Sequence, residues 1–178
     1  ADKTAGQPHD FPGFTMSVCQ LRPTSRGHLK ARNSDMATPP EIFMNYFATD
    51  EDRRVMTAGV RLAQDIARSK GMSDYVAAPY RPARFLETDR EIEDFIRETA
   101  TTIFHPVGTC RMGHDSMAVV DPQLRVHGVS GLRVVDASII PTILSGNTNA
   151  GSIAIGEYAS DLIKKDHRMR NTNAAMQA

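Results

Sequence analysis

Phe104-His105-Pro106-Val107-Gly108-Thr109-Cys110-Arg111-Met112-Gly113-His114 is the stretch at which this chain changes character. Before it, apolar residues recur at helical spacing. From Phe104 onward, Gly108, Gly113, Gly128, Gly131, Gly146, Gly151 and Gly156 separate short β-branched runs such as Leu132-Arg133-Val134-Val135. Helical periods on one side and glycine-punctuated extended runs on the other make this boundary the one that decides the architecture.

Working upstream, Thr88-Asp89-Arg90-Glu91 has the spacing of a capping box, in which threonine takes an amide and glutamate reaches back. The helix predicted after it carries Ile92, Phe95, Ile96 and Ile103 on one face. Residues 72–85 hold two prolines and two tyrosines without a period and read as a loop. Before them, Asp50-Glu51-Asp52 places acids at a helix's positive end. Val55, Gly59, Leu62, Ala63, Ile66 and Ala67 form the stripe, and Gly71 closes it. Met16, Val18 and Gln20 alternate as a strand does. Pro23–Gly27 supplies a turn, and His28–Arg32 reads as a second strand. Residues 1–14 are an irregular lead-in. Downstream, a last helix is expected from about Ala150 to Lys165, with a polar, frayed tail over 166–178.

Composition narrows the function classes. The 178 residues carry 21 Lys+Arg against 21 Asp+Glu, which excludes a strongly basic nucleic-acid binder. No apolar run approaches the roughly 20 residues of a membrane helix, so a soluble chain is expected. Two cysteines, Cys19 and Cys110, make no disulfide framework, and a cytoplasmic setting is the expectation. The start lacks both a signal-peptide pattern and an initiator Met, which suggests an internal cut.

Three constellations bear on chemistry. His105, Cys110 and His114 lie close together, but their spacing does not match paired zinc ligands, and no metal is expected. Gly108 and Gly113 stand at a phosphate-loop interval, yet His114 occupies the place where lysine is required; GxGxxG is absent from the chain. Ser145-Gly146-Asn147-Thr148-Asn149-Ala150 opens the last helix. It is either a helix cap or a positive helix end facing an electron-rich ligand.

Four ordered segments resemble the carboxyl-terminal signature of the glucose–methanol–choline oxidoreductases, in the choline-dehydrogenase-like branch. They are His105–Gly113, Val120–Gly128, Gly131–Pro141 and Ser145–Ala150. Leu21–Gly27 is similar to the strand and turn that open that family's carboxyl-terminal module. The resemblance covers roughly residues 15–165. It implies an FAD enzyme that moves a hydride from an alcohol to flavin. Family members are about three times as long as this chain, with the ADP-gripping GxGxxG unit in the missing amino-terminal FAD-binding lobe. The resemblance therefore implies a carboxyl-terminal fragment, inactive by itself and without bound FAD.

Residue by residue, the family's active-site histidine matches His105. An imidazole suits a base because it ordinarily titrates near pH 6.5, at about neutrality. The second catalytic position, histidine or asparagine in the family, matches Asn147, which can donate a hydrogen bond to the alcohol oxygen. Asp136 and Ala137 match a contact with the flavin's ribityl–pyrophosphate region. Thr148 and Asn149 match the position beside its pyrimidine ring. Phe104 either lies against the isoalloxazine ring or is a core aromatic. His114 and His127 match no catalytic position, and Cys110 reads as a buried small hydrophobe.

The expected fold is α+β: an antiparallel sheet with helices packed on one side, plus a strand–helix extension completing a flavin-binding lobe. The expected divisions are 1–14, 15–103 for the substrate-lobe portion, 104–165 for the active-site and flavin-contacting segment, and 166–178. Partners implied are a small alcohol and the missing lobe, and the apolar face of the last helix is expected to be exposed or covered by a second copy in a homo-oligomer. The rival expectation is a stand-alone binding module derived from the same family and without catalysis.

Overall fold

The structure, a computed structural model, describes residues 9–176. Residues 1–8 of the expected lead-in and 177–178 of the expected tail lie outside the described residues. The chain forms two compact units, one from the chain up to Gln20 with Asn45–Thr101, the other from Leu21–Met44 with the chain from Thr102 onward.

In the first unit, helix α1 (Asp50–Arg68) starts at Thr49, whose side chain accepts the Asp52 amide at 3.2 Å. Asp50, Glu51 and Asp52 fill its first turn and Arg68 its last, each sign matching the helix dipole. Helix α2 (Asp89–Thr99) begins with the expected capping box. Thr88 accepts the Glu91 amide at 3.2 Å, and Glu91 accepts the Thr88 amide at 3.0 Å. The two helices pack on each other around Leu86, Ile92 and Ile96, with Phe47, Met56, Val60 and Phe95 at the margin. Gln64 on α1 clamps the strand-like entry to α2. Its Oε1 accepts the Leu86 amide at 2.6 Å, and its Nε2 donates to the Leu86 carbonyl at 3.2 Å.

Three expectations fail in this unit. Residues 16–20 form no strand, because no neighbouring strand pairs with them. Val18 instead lies on Gly59 of α1, so close that a Cβ at residue 59 would collide with it. The α1 stripe is also displaced: Met56 and Val60 face α2 while Leu62 and Ile66 are exposed. Two neighbours meet α1 on different faces, and a single apolar stripe misses one of them. Likewise α2 stops at Thr99, where Ala100 turns extended, so Ile103 never joins its face and lies exposed.

The second unit contains the only sheet among the described residues. Strand β1 (His28–Lys30) pairs antiparallel with β2 (Glu41–Phe43), with Leu29 opposite Ile42. The sheet is therefore antiparallel as expected, but it has two short strands, exposed on both faces, and its unit's helix does not pack on it. That helix, α3 (Asn149–Met176), lies instead against the 3-10 turn Ala137–Ile139. One side of it packs on Val120, Leu124 and Ile139, which enclose Ala159. Single bridges join Met112 to Val120, Val120 to Val126 and Arg125 to Arg133 where longer strands were expected.

The tail is not frayed as expected: α3 continues to Met176. Asp166 in this extension is gripped by Arg125, at 2.9 Å, and by Arg133, ties that hold the helix beyond Lys165. No helix among the described residues is long and apolar enough to cross a membrane.

The capping box predicts an acid limb in the stability curve. The amide of Thr88, the Arg84 guanidinium and the amide of Glu87 hold the Glu91 carboxyl down, from 4.5 to about 2. A depressed folded-state value means that this group's stabilisation is complete above pH 4.5 and fades as the pH falls toward 2. Glu91→Gln should therefore lower the urea midpoint at neutral pH, with the gap to wild type closing across that window. Salt should shrink the gap, since the group is solvent-facing.

Candidate active site

The site is built where two loops of the second unit meet. Residues 110–112 run beside the 3-10 turn, with Cys110 and Met112 donating their amides to the Ser138 and Ile139 carbonyls at 3.0 and 2.8 Å. This docking holds the loop that precedes it. Gly108 makes the turn between, at φ +86, where an added Cβ would lie 3.4 Å from the Ile140 carbonyl oxygen. An L-residue is strained in that conformation, so glycine belongs there. On the other side, Thr148 precedes α3, and its carbonyl accepts the Ser152 amide at 2.9 Å.

The two segments touch through one bond. His105 Nδ1 lies 2.9 Å from Thr148 Oγ1, across 43 residues of sequence. Thr148 is 8% exposed, whereas His105 is half-buried. The second ring nitrogen of His105, Nε2, has no hydrogen-bond partner among the described residues. A histidine held at one nitrogen and open at the other is set to exchange a proton with a ligand.

Around this pair the expected residues take distinct places. Asn147 and Asn149 flank Thr148 and are exposed. Phe104, one residue before His105, is 81% exposed and takes φ +64. It is therefore not a core aromatic in this chain. Its backbone is strained, as an L-residue in the left-handed region is, by an order of 1–3 kcal/mol. The turn directs Phe104 outward while His105 is held inward. Asp136 is exposed and accepts the Ser138 amide at 2.7 Å, which starts the 3-10 turn containing Ala137. Sequence reasoning placed His105 and Thr148 in separate roles, and no local signal couples them.

The remaining candidates stand apart. His127 Nε2 lies 3.1 Å from the Gly113 carbonyl, and His114 is exposed. Cys110 is half-buried and unpaired rather than fully buried. No group of three or more His, Cys, Asp or Glu residues among the described ones could hold a metal ion. The Arg125–Asp166–Arg133 cluster escaped sequence reading altogether. Arg133 and Arg125 hold the Asp166 carboxyl below its ordinary range.

A half-buried histidine beside a polar helix start names no reaction by itself. The GMC oxidoreductase family model matches residues 23–156, and the chain belongs to that family. It is 42% identical over 161 residues to the oxygen-dependent choline dehydrogenase of Escherichia coli O45:K1 (strain S88 / ExPEC). That alignment covers 90% of this chain and 29% of the relative. Among solved structures it is similar to a formate oxidase variant from Aspergillus oryzae RIB40 studied for FAD modification. There the TM-score is 0.79 at 34% identity, over 89% of this chain and 29% of that one. Pyridoxine 4-oxidase from Mesorbium loti gives a TM-score of 0.74 at 31% identity, over 83% of this chain and 28% of that one. The chain thus spans under a third of the length of these proteins.

Gly108→Ala tests the loop that carries His105. Adding a Cβ at φ +86 should destabilise the protein by about 1–2 kcal/mol. The same change at Gly71, which has open space around it and no positive φ, should cost far less in parallel denaturant titrations.

Proposed function

We propose that this chain is the base-bearing, carboxyl-terminal part of an FAD-dependent alcohol dehydrogenase, in which His105 takes the alcohol proton and Asn147 holds the same oxygen. The observation that carries the reading is the His105–Thr148 contact. It fixes one ring nitrogen on the residue that follows exposed Asn147 and leaves the other nitrogen open.

The residues fit a flavin. Phe104 offers an exposed aromatic plane, and the first turn of α3 offers amides without helical partners at the positive helix end. Asp136 keeps a carboxylate oxygen for a ribityl hydroxyl. Phe104, Asp136, Ala137, Asn149 and the main chain of Thr148 would hold the cofactor. FAD, when bound, supplies the acceptor for a hydride from the alcohol carbon.

His105 Nε2 then removes the hydroxyl proton, since an alkoxide releases hydride far more readily than an alcohol does. Asn147, which cannot act as a base, donates its amide N–H to the oxygen. The choline dehydrogenase relative points to a small alcohol of the choline type as substrate. The exposed apolar residues Ile153, Tyr158 and Ile163 on α3 are left for the rest of the enzyme, or a second copy, to cover.

Two measurements test the reading. In the full-length, flavin-loaded enzyme containing these residues, His105→Ala should lower turnover by about 10²–10⁴ with unchanged flavin content. Asn147→Ala should cost less, by about 1–3 kcal/mol of barrier. Normal turnover in His105→Ala places the base elsewhere.

The 178-residue chain alone, which lacks GxGxxG, should show no saturable FAD binding at about micromolar ligand. A yellow preparation with stoichiometric flavin contradicts that expectation.

A further inference from the structure

Thr148 occupies a position where a threonine side chain ordinarily accepts an amide of the following helix turn. Its carbonyl does take part in the helix start, through Ser152. Its hydroxyl does not: the partner it has among the described residues is His105 Nδ1, at 2.9 Å. The hydroxyl of a nearly buried residue is thus spent on the histidine and accepts no helix amide among the described residues. Threonine suits the task, because its branched side chain has few rotamers and holds Oγ1 in place.

We infer that Thr148 is a positioning residue for His105, its hydroxyl accepting a hydrogen bond from Nδ1–H and so leaving the lone pair of the ring on Nε2. The inference rests on the reading of His105 as the base. The two ring nitrogens of a neutral imidazole share one proton, so fixing it at Nδ1 makes Nε2 the acceptor. When Nε2 takes the alcohol proton, the ring carries N–H at both nitrogens, and Nδ1–H still donates to Oγ1. The bond survives the transfer and the ring has no reason to turn. The alcohol O–H bond breaks, the Nε2–H bond forms, and the Thr148 hydroxyl keeps its own proton.

The test uses nitrogen-15 histidine spectra and kinetics of the full-length, flavin-loaded enzyme, with His105→Gln to assign the ring signals. Wild type should show His105 with the proton on Nδ1. Thr148→Val, of nearly equal shape, should move the proton toward Nε2 and lower kcat about 10-fold with KM within about 2-fold. Thr148→Ser should restore both the tautomer and most of kcat. A wild-type ring protonated at Nε2 overturns the inference, and so does Thr148→Val with an unchanged tautomer and kcat. Normal turnover in His105→Ala would instead remove the base assignment, while the spectra still decide whether Thr148 sets the ring.

Discussion

Ala159, enclosed by Val120, Leu124 and Ile139, fixes where α3 runs, and the site depends on that contact. A small side chain at this point lets the helix approach the 3-10 turn closely. Ile155 and Leu162 pack on either side, one turn before and after. With the helix axis set, its first residues have one place to be. Cys110 and Met112, bonded to the carbonyls of the same turn, set the loop that carries His105. One apolar cluster thus registers two segments against each other, and a single 2.9 Å hydrogen bond closes the site between them.

Polar ties supplement apolar packing in both units, because their apolar clusters are small. The first unit's helices share a small core around Ile92, and Gln64 adds a two-way clamp on the backbone of Leu86. Asp52 is buried at the start of α1 and accepts from Gln20 at 2.8 Å, which joins the segment at residues 16–20 to the helix. In the second unit, Arg125 and Arg133 converge on Asp166 and carry α3 past the point where its apolar period fades. Most of these ties are partly buried, while Arg125–Asp166 is exposed and worth little alone. Their effect is on register: they settle which residues face which.

The legible parts of the fold were those with local causes. The capping box at Thr88 and Glu91 is written in four consecutive residues, and the helix began where they said. The acids at 50–52 and the turn before His28 acted likewise. What failed needed a partner. Residues 16–20 alternate like a strand but have no strand beside them, and Val18 meets Gly59 of a helix instead. Residues 166–176 read as a polar tail because the arginines that hold Asp166 lie 33 and 41 residues earlier. Phe104 could have been core or cofactor surface by sequence, and its backbone turn put it outside.

The sequence by itself determined the family, through four ordered motifs whose order and content are a property of the chain and need no coordinates. Through that resemblance it also offered His105 and residues 147–149 as candidates for the chemistry. Only the tertiary structure decided that these are one place, and that Thr148 rather than a neighbour holds the histidine. A hydrogen bond across 43 residues leaves no periodicity and no local propensity to read. It exists because the core beneath α3 brings two loops together, and that packing is a property of the folded chain.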